Sequence, residues 1–186
     1  GENAIVVVAG ANAQVGVEDN FFIPHSRVVL AQLEVPLETI EMAFTQGRSN
    51  GAVTVLNPAP ARDIPETLLS LANVVVPNET ESAAIGGTKN LLKLGAATVI
   101  TTLGADGASI ETATSTTHIA PHKVTPIDTV GAGDAFIGAT CAELSRGASI
   151  EDAARMGAIA GALATTVKGA VPSLPTRQAV LAAQKS

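Results

Sequence analysis

The sequence predicts an α/β protein in which a mostly parallel sheet is flanked by helices. Short runs rich in Val and Ile alternate along the chain with segments of helical periodicity. Hydrophobic residues make up 46% of the 186 residues and aromatic residues only 2%, so the core must consist of the aliphatic side chains that suit buried parallel strands. Strand–helix alternation favours parallel strands joined by right-handed crossovers. Because a chain of this length can form one sizeable core, we expect a single α/β domain over residues 1–186.

The predicted strands are short aliphatic runs, two of which end at Asn57-Pro58 and Pro77-Asn78. Asn, Pro and Gly are typical of the turns that terminate strands. The predicted strands span 4–9, 27–33, 52–56, 73–76 and 97–102, and the runs 108–112 and 116–120 are expected to pair as a hairpin.

The helices are predicted from apolar periodicity and from Pro and Gly at their ends. Pro36 suits the first turn of a helix that runs to about Gln46, with Gly47 as its stop. Gly86 and Gly87 are expected to break or delay a helix over 82–94. The remaining predicted helices span 64–72, 134–145, 150–167 and 176–184.

Charge and cysteine content argue against several classes of protein. The net charge is −6 and no Lys/Arg cluster occurs, which argues against nucleic acid as a partner. Cys141 is the single cysteine, so an internal disulfide is impossible and a reducing, cytoplasmic location is expected. No apolar run approaches the ~20 residues of a membrane span, and no signal peptide is visible.

The segment DTVGAGDAF, residues 128–136, is the strongest functional signal in the sequence. Gly131, Ala132 and Gly133 have little side-chain bulk, so their backbone N–H groups can surround an anion at the positive end of the following helix. Asp134 would then lie at the helix N-terminus with a carboxylate able to accept a proton. An anion hole beside a base is the arrangement that phosphoryl transfer to a hydroxyl requires.

This pattern alone also suits an ordinary turn followed by a helix cap, since Gly and Asp are common there. It matches neither a Walker A sequence nor a dinucleotide-binding fingerprint. Further polar residues follow the other predicted strands. Ligands of α/β sheets bind beyond the carboxyl ends of strands, so this row favours a ligand cleft. The row comprises Glu34, Asn57, Asn78, Glu79, Glu81, Thr102 and Gly104.

Six segments extend the signal over essentially the whole chain. They are, in order, LAQLEVPLETI, LNPAPAR, VVPNETE, ITTLGADG, DTVGAGDAF and VKGAVPSLP. Together they resemble the ribokinase-type family of carbohydrate and nucleoside kinases, of which the DTxGAGD segment is the signature. Within the family, NPAPAR and PNETE favour the branch that phosphorylates ribose. The resemblance implies a ribokinase-like fold and ATP-dependent transfer of the γ-phosphate to the 5-hydroxyl of D-ribose.

The resemblance also implies roles for individual residues. Asp134 would be the base that deprotonates the sugar hydroxyl, and Glu34 would bind sugar hydroxyls. The implied anion hole comprises Gly131, Ala132 and Gly133. The implied ATP-binding residues are Asn78, Thr102, Gly104, Gly107 and Gly133. Lys168 borders the adenine pocket and is interpreted as a solvated, non-catalytic side chain.

Two metal ions are implied as cofactors beside ATP. Glu81 would hold Mg²⁺ through water, since magnesium dehydrates reluctantly. K⁺ would be held mainly by backbone oxygens of the signature turn and a later loop. The implied potassium positions are Asp128, Val130, Ala164, Val167, Gly169 and Ser173.

The chain departs from the family pattern in three places. Nothing in it resembles the N-terminal strands and the lid, through which the family often dimerises, so it is expected to be an N-terminally truncated form with exposed strand edges. The segment between Glu81 and Leu91 is shorter than usual. Residues 157–160 are small and apolar where Asn or His often meets the adenine.

Four alternatives remain open at this stage. The first is a chain that binds nucleotide without catalysis, and the second is a family kinase for another sugar or a nucleoside. Glu34 and NPAPAR argue against another substrate. The absence of GxGxxG after a strand argues against a dehydrogenase, and the row of polar strand ends argues against a purely structural protein.

Overall fold

A computed structural model describes residues 8–16 and 22–185, and within them six strands form one sheet. The strands lie side by side in chain order; the first four are parallel, and the last two continue the sheet antiparallel. Both the mostly parallel sheet and the hairpin are thereby confirmed. The predicted strand over 4–9 falls largely outside the described residues. The strands are β1 (Val28–Gln32), β2 (Val53–Asn57), β3 (Val74–Val75), β4 (Thr98–Thr102), β5 (Ala108–Glu111) and β6 (Thr116–Ile119).

Eight α-helices occur within the described part of the chain, and 3-10 turns cover Gly10–Gln14 and Gly104–Asp106. None of these helices combines the length and the apolar character needed to cross a membrane. The helices are α1 (Leu37–Ser49), α2 (Glu66–Leu71), α3 (Glu79–Ala84), α4 (Thr88–Lys93), α5 (Ala132–Leu144), α6 (Ile150–Ala164), α7 (Ala170–Ser173) and α8 (Arg177–Ala183).

Helices cover both faces of the sheet. One hydrophobic cluster contains Phe44 of α1, Leu56 of β2 and residues of α2 and α4. A second hydrophobic cluster contains Phe136 of α5, Ala154 of α6 and Val55 of β2. Val55 and Leu56 are consecutive, and successive side chains of a strand point to opposite faces of the sheet. The two clusters therefore lie on opposite sides of the sheet. The result is a three-layer arrangement in which the central strands β2, β3 and β4 are the most deeply buried.

The prediction that Gly47 stops the first helix is wrong. α1 continues to Ser49, and Gly47 is buried within it. A Cβ at this position would lie 2.7 Å from Cγ2 of Val29, so the glycine lets α1 approach β1 closely. Packing against the sheet therefore outweighs the helix-breaking tendency of glycine.

The break predicted in the helix over 82–94 is confirmed, since Gly86 and Gly87 adopt φ of +89° and +85° between α3 and α4. The start was predicted too late, because α3 begins at Glu79. Asn78 Oδ1 accepts a hydrogen bond from the Glu81 N–H (2.7 Å), and Glu81 Oε2 accepts one from the Asn78 N–H (2.9 Å). This reciprocal capping box fixes the helix start.

Other helix ends also differ from prediction. α5 begins two residues earlier than expected, and α7 was not predicted. α6 ends at Ala164 rather than 167. Thr165 is the first residue after α6. Its carbonyl accepts hydrogen bonds from the N–H groups of Ile127 (2.7 Å) and Asp128 (3.0 Å), so it takes part in a long-range contact instead of continuing the helix.

Candidate active site

The N-terminus of α5 is formed by the signature turn. Gly131 caps the helix in the left-handed conformation (φ 79°, ψ 0°), which glycine adopts without steric cost. Within the described part of the chain, the N–H groups of Gly133 and Asp134 have no partner, as expected for a first helical turn. The N–H of Ala132 instead donates to Thr129 O (3.2 Å). The N–H of Gly131, which likewise has no partner among the described residues, and those of Gly133 and Asp134 can therefore bind an anion, whereas that of Ala132 is already engaged.

Asp128 joins the signature turn to the loop that follows α6. Its Oδ1 accepts a hydrogen bond from the Val130 N–H (3.1 Å) and its Oδ2 accepts one from the Gly169 N–H (2.8 Å). These two backbone donors, that of Gly169 most strongly, hold the pKa of the Asp128 carboxyl below its ordinary value. The carboxylate is therefore charged at neutral pH and holds two segments together that lie far apart in sequence.

The six residues predicted to bind potassium lie on these two joined segments or at the end of α6 beside them. Ala164 and Ser173 are buried, whereas Val130 and Val167 are exposed. Of these positions, Asp128 and Gly169 are joined by the hydrogen bond given above, and potassium binding at the six residues stays a prediction.

Glu81 is the one residue predicted to bind magnesium. Its Oε2 is engaged in the capping box, which leaves Oε1 to accept from a metal-bound water. Among the described residues, no group of three or more His, Cys, Asp and Glu side chains is placed to hold a metal. A role of Glu81 in binding magnesium through water stays a prediction.

Four of the five predicted nucleotide-binding residues lie at or just beyond the carboxyl ends of β3 and β4, whereas Gly133 lies in the first turn of α5. Asn78 pairs with Thr102 in an isolated parallel bridge, and the Thr102 N–H donates to Pro77 O (3.0 Å). Gly104 begins the 3-10 turn and Gly107 ends it with φ +88°. A Cβ on Gly107 would overlap Ile119 O, so only glycine fits this turn.

Asp134 is exposed and borders a cleft of about 290 Å³ between β1, β2 and α5. A second groove of about 380 Å³ starts at Asp134 and runs between α5, α6 and α8. Glu34 lies exposed two residues beyond β1 and lines neither space. The structure thus places Asp134, but not Glu34, in the lining of these two clefts. The smaller cleft is lined by Leu30, Ala31, Gln32, Asn57, Asp134, Ile137 and Gly138.

Two polar residues of the smaller cleft had no individual role predicted from the sequence, although Asn57 belongs to the row of polar strand ends. Gln32 and Asn57 are register partners at the ends of β1 and β2. Gln32 Nε2 donates to Asn57 Oδ1 (2.9 Å) and lies 3.5 Å from Asp134 Oδ1. The position of Asn57 at a strand end, followed by Pro58, indicated a possible site residue in the sequence. Nothing in the neighbouring sequence distinguishes Gln32 from the other residues of its strand.

Comparison with known proteins decides the family. Residues 1–177 match the sequence model of the pfkB family of carbohydrate kinases. The chain belongs to this family. A pfkB-type signature turn, a mostly parallel sheet and flanking helices are thus found in one chain, and the predicted ribokinase-like resemblance is confirmed.

Ribokinases are prominent among the similar proteins. Ribokinase of Staphylococcus aureus is 39% identical over 197 residues, which cover 97% of this chain and 65% of that protein. Ribokinase of Haemophilus influenzae is 37% identical, with 97% and 64% covered. The crystal structure of Thermotoga maritima ribokinase superposes with a TM-score of 0.87 at 30% identity, covering 100% of this chain and 66% of that one. This pfkB-family chain therefore spans about 65% of the length of these relatives.

The structure of Arabidopsis thaliana ribokinase complexed with ribose and ATP also superposes with a TM-score of 0.87, at 27% identity, and covers 100% of this chain and 66% of that one. These superpositions confirm the predicted fold class.

Proposed function

We propose that this chain is the nucleotide-binding and catalytic part of an ATP-dependent sugar kinase that phosphorylates the 5-hydroxyl of D-ribose. The observation that carries the proposal is the position of Asp134 in the first turn of α5, beside unpaired backbone amides and at the mouth of two clefts. The similarity to ribokinases supports ribose as the acceptor.

In the proposed reaction, Asp134 accepts the proton of the sugar hydroxyl as that oxygen forms a bond to the γ-phosphorus of ATP. The bond between this phosphorus and the bridging oxygen breaks, and ADP leaves with the electron pair. The N–H groups of Gly133 and Asp134 donate to the phosphoryl oxygens, on which negative charge accumulates. Removing one such donor typically costs about 2.7–4 kcal/mol of transition-state stabilisation.

The remaining predicted residues are assigned to binding. We assign the binding of ATP to the strand ends at Asn78, Thr102, Gly104 and Gly107. We assign the hydroxyl groups of the sugar substrate to Glu34. Magnesium, when bound, neutralises phosphate charge. Asp128 keeps the signature turn against the loop at Gly169, and we assign to this contact the positioning of the amides of Gly133 and Asp134.

A nucleotide-binding chain without turnover is the second candidate. The observation that favours it is the exposed position of Glu34 outside the clefts at Asp134, since no described residue replaces it as a sugar ligand beside the base. Correct positioning of the reacting hydroxyl supplies much of the rate of such reactions.

The test is ribose-dependent release of ADP by the purified 186-residue chain with Mg²⁺ and K⁺, beside the Asp134→Asn variant. We expect turnover that requires ribose and falls by two to four orders of magnitude in the variant, as loss of a general base does. The matched control is Asp63→Asn, an exposed carboxylate in the loop before α2, which should keep full activity.

Binding is measured in parallel by thermal shift, because a ligand of the folded state raises apparent stability. Stabilisation by ATP with no ribose-dependent turnover would support the second candidate. Equal activity of wild type and Asp134→Asn would disprove the role of Asp134 as base.

A further inference from the structure

A chain of hydrogen bonds runs from the end of β3 to Asp134. Val76 O accepts from Asn57 Nδ2 (2.8 Å), and Asn57 Oδ1 accepts from Gln32 Nε2 (2.9 Å). The same Gln32 nitrogen lies 3.5 Å from Asp134 Oδ1. Asn57 is only 6% exposed, so its amide is held within the sheet edge rather than in solvent.

The direction of these bonds fixes which end of each amide faces which neighbour. A backbone carbonyl can only accept, so Asn57 must turn its NH₂ group towards Val76 and its oxygen towards Gln32. Gln32 must in turn present its NH₂ group to that oxygen. This group has two hydrogens, and the second is available to Asp134. The buried carbonyl of Val76 therefore determines that Asp134 meets a donor rather than an acceptor.

We propose that Gln32 is a positioning residue for Asp134, held by Asn57, in the phosphoryl transfer proposed above, on which this inference rests. Asp134 is exposed, and an exposed side chain samples several rotamers. A fixed donor at Oδ1 selects one of them and leaves Oδ2 to accept the substrate proton. At 3.5 Å the contact is at the long limit of hydrogen bonding, as is common for catalytic groups before substrate binds.

Other charged groups near Asp134 are already paired. Glu143 of α5, Arg146 just beyond α5 and Arg177 of α8 line the larger groove together with Asp134. Arg177 Nε lies 2.7 Å from Glu143 Oε1, and Arg146 Nη1 lies 3.6 Å from the same oxygen. Within residues 8–16 and 22–185, Gln32 is the one side chain with a hydrogen bond to the Asp134 carboxylate.

The test measures the contact directly and needs no turnover. Three-bond Hα–Hβ couplings of Asp134 are recorded by NMR in the wild type, in Gln32→Met and in the control Gln184→Met, which makes the same change at an exposed position at the end of α8. We expect couplings of one staggered rotamer in the wild type and the control, and averaged couplings in Gln32→Met. Unchanged couplings in Gln32→Met would overturn the proposal.

A second readout does not require any variant at Gln32 to fold. The side-chain amide resonances of Gln32 should shift in Asp134→Ala, which removes the acceptor, and should keep their wild-type positions in the control Asp63→Asn. Gln32 amide resonances that are unchanged in Asp134→Ala would overturn the proposal. Because neither measurement uses ATP or ribose, its outcome is separate from that of the turnover assay.

Discussion

The carboxylate of Asp128 accepts a hydrogen bond of 2.8 Å from the N–H of Gly169, 41 residues further along the chain. The same carboxylate accepts from Val130, so one side chain both shapes the signature turn and attaches it to the loop after α6. Gly131 packs within this contact, since a Cβ there would lie 3.3 Å from Cα of Ala170. The geometry of the amides at the start of α5 therefore depends on a residue that lies outside the helix.

Asp128→Asn should lower the free energy of unfolding at pH 7, because an amide oxygen replaces only one of the two carboxylate acceptors. The folded-state pKa of Asp128 lies below the ordinary value of 3.8, so its contribution is present above that pH and is lost as the pH falls through the folded-state pKa. Urea unfolding at pH 7 and at about pH 3 measures this. The difference between wild type and variant should shrink at the lower pH, and Asp63→Asn should show no such difference. A gap that is equal at both pH values would contradict the prediction.

Gly157→Ala should destabilise the protein by about 1–3 kcal/mol through overpacking. Its added Cβ would overlap Thr140 Oγ1 and lie 2.8 Å from Phe136 O, at the contact between α6 and α5. Gly138→Ala is the matched control within α5, where a Cβ would meet no atom within 4 Å. The control should stabilise by about 0.5–1 kcal/mol, since alanine is the better helix former. Chemical denaturation of the two variants should thus give shifts of opposite sign.

Asn78→Ala should destabilise by about 0.5–2 kcal/mol, because the cap of α3 is lost. Glu81→Gln should leave stability nearly unchanged, since glutamine can complete a capping box. If Glu81 contacts Mg²⁺ through water, the same change should weaken magnesium-dependent binding of ATP. Titration calorimetry with and without Mg²⁺ separates the two effects, and an equal ATP affinity for wild type and Glu81→Gln would exclude the metal role.

Cys141 should react slowly with a thiol reagent in the folded protein. Burial raises the pKa of its thiol to about 11, so the thiolate is scarce at pH 8. The rate of labelling should increase sharply in urea, when the side chain becomes exposed. Rapid labelling of the native protein would show that the region around Cys141 opens readily.

Most of the secondary structure could be predicted because its signals are local. The aliphatic runs of β2 and β4 and the glycine pair before α4 are readable within a few residues, and they appear at the expected places. Some errors occurred where a distant element decided the outcome. Gly47 continues α1 because Val29 of β1 lies against it, and α6 ends where the carbonyl of Thr165, just beyond the helix, accepts hydrogen bonds from Ile127 and Asp128.

The candidate site divides in the same way. The sequence by itself determined the family, the signature turn and the place of Asp134 at a helix start, because these depend on a contiguous motif and on glycine conformations. Only the tertiary structure brought Gln32, Asn57 and Asp134 together, over separations of 25 and 102 residues. Strand register and helix packing set such contacts, and both follow from burial of the whole core rather than from any local pattern.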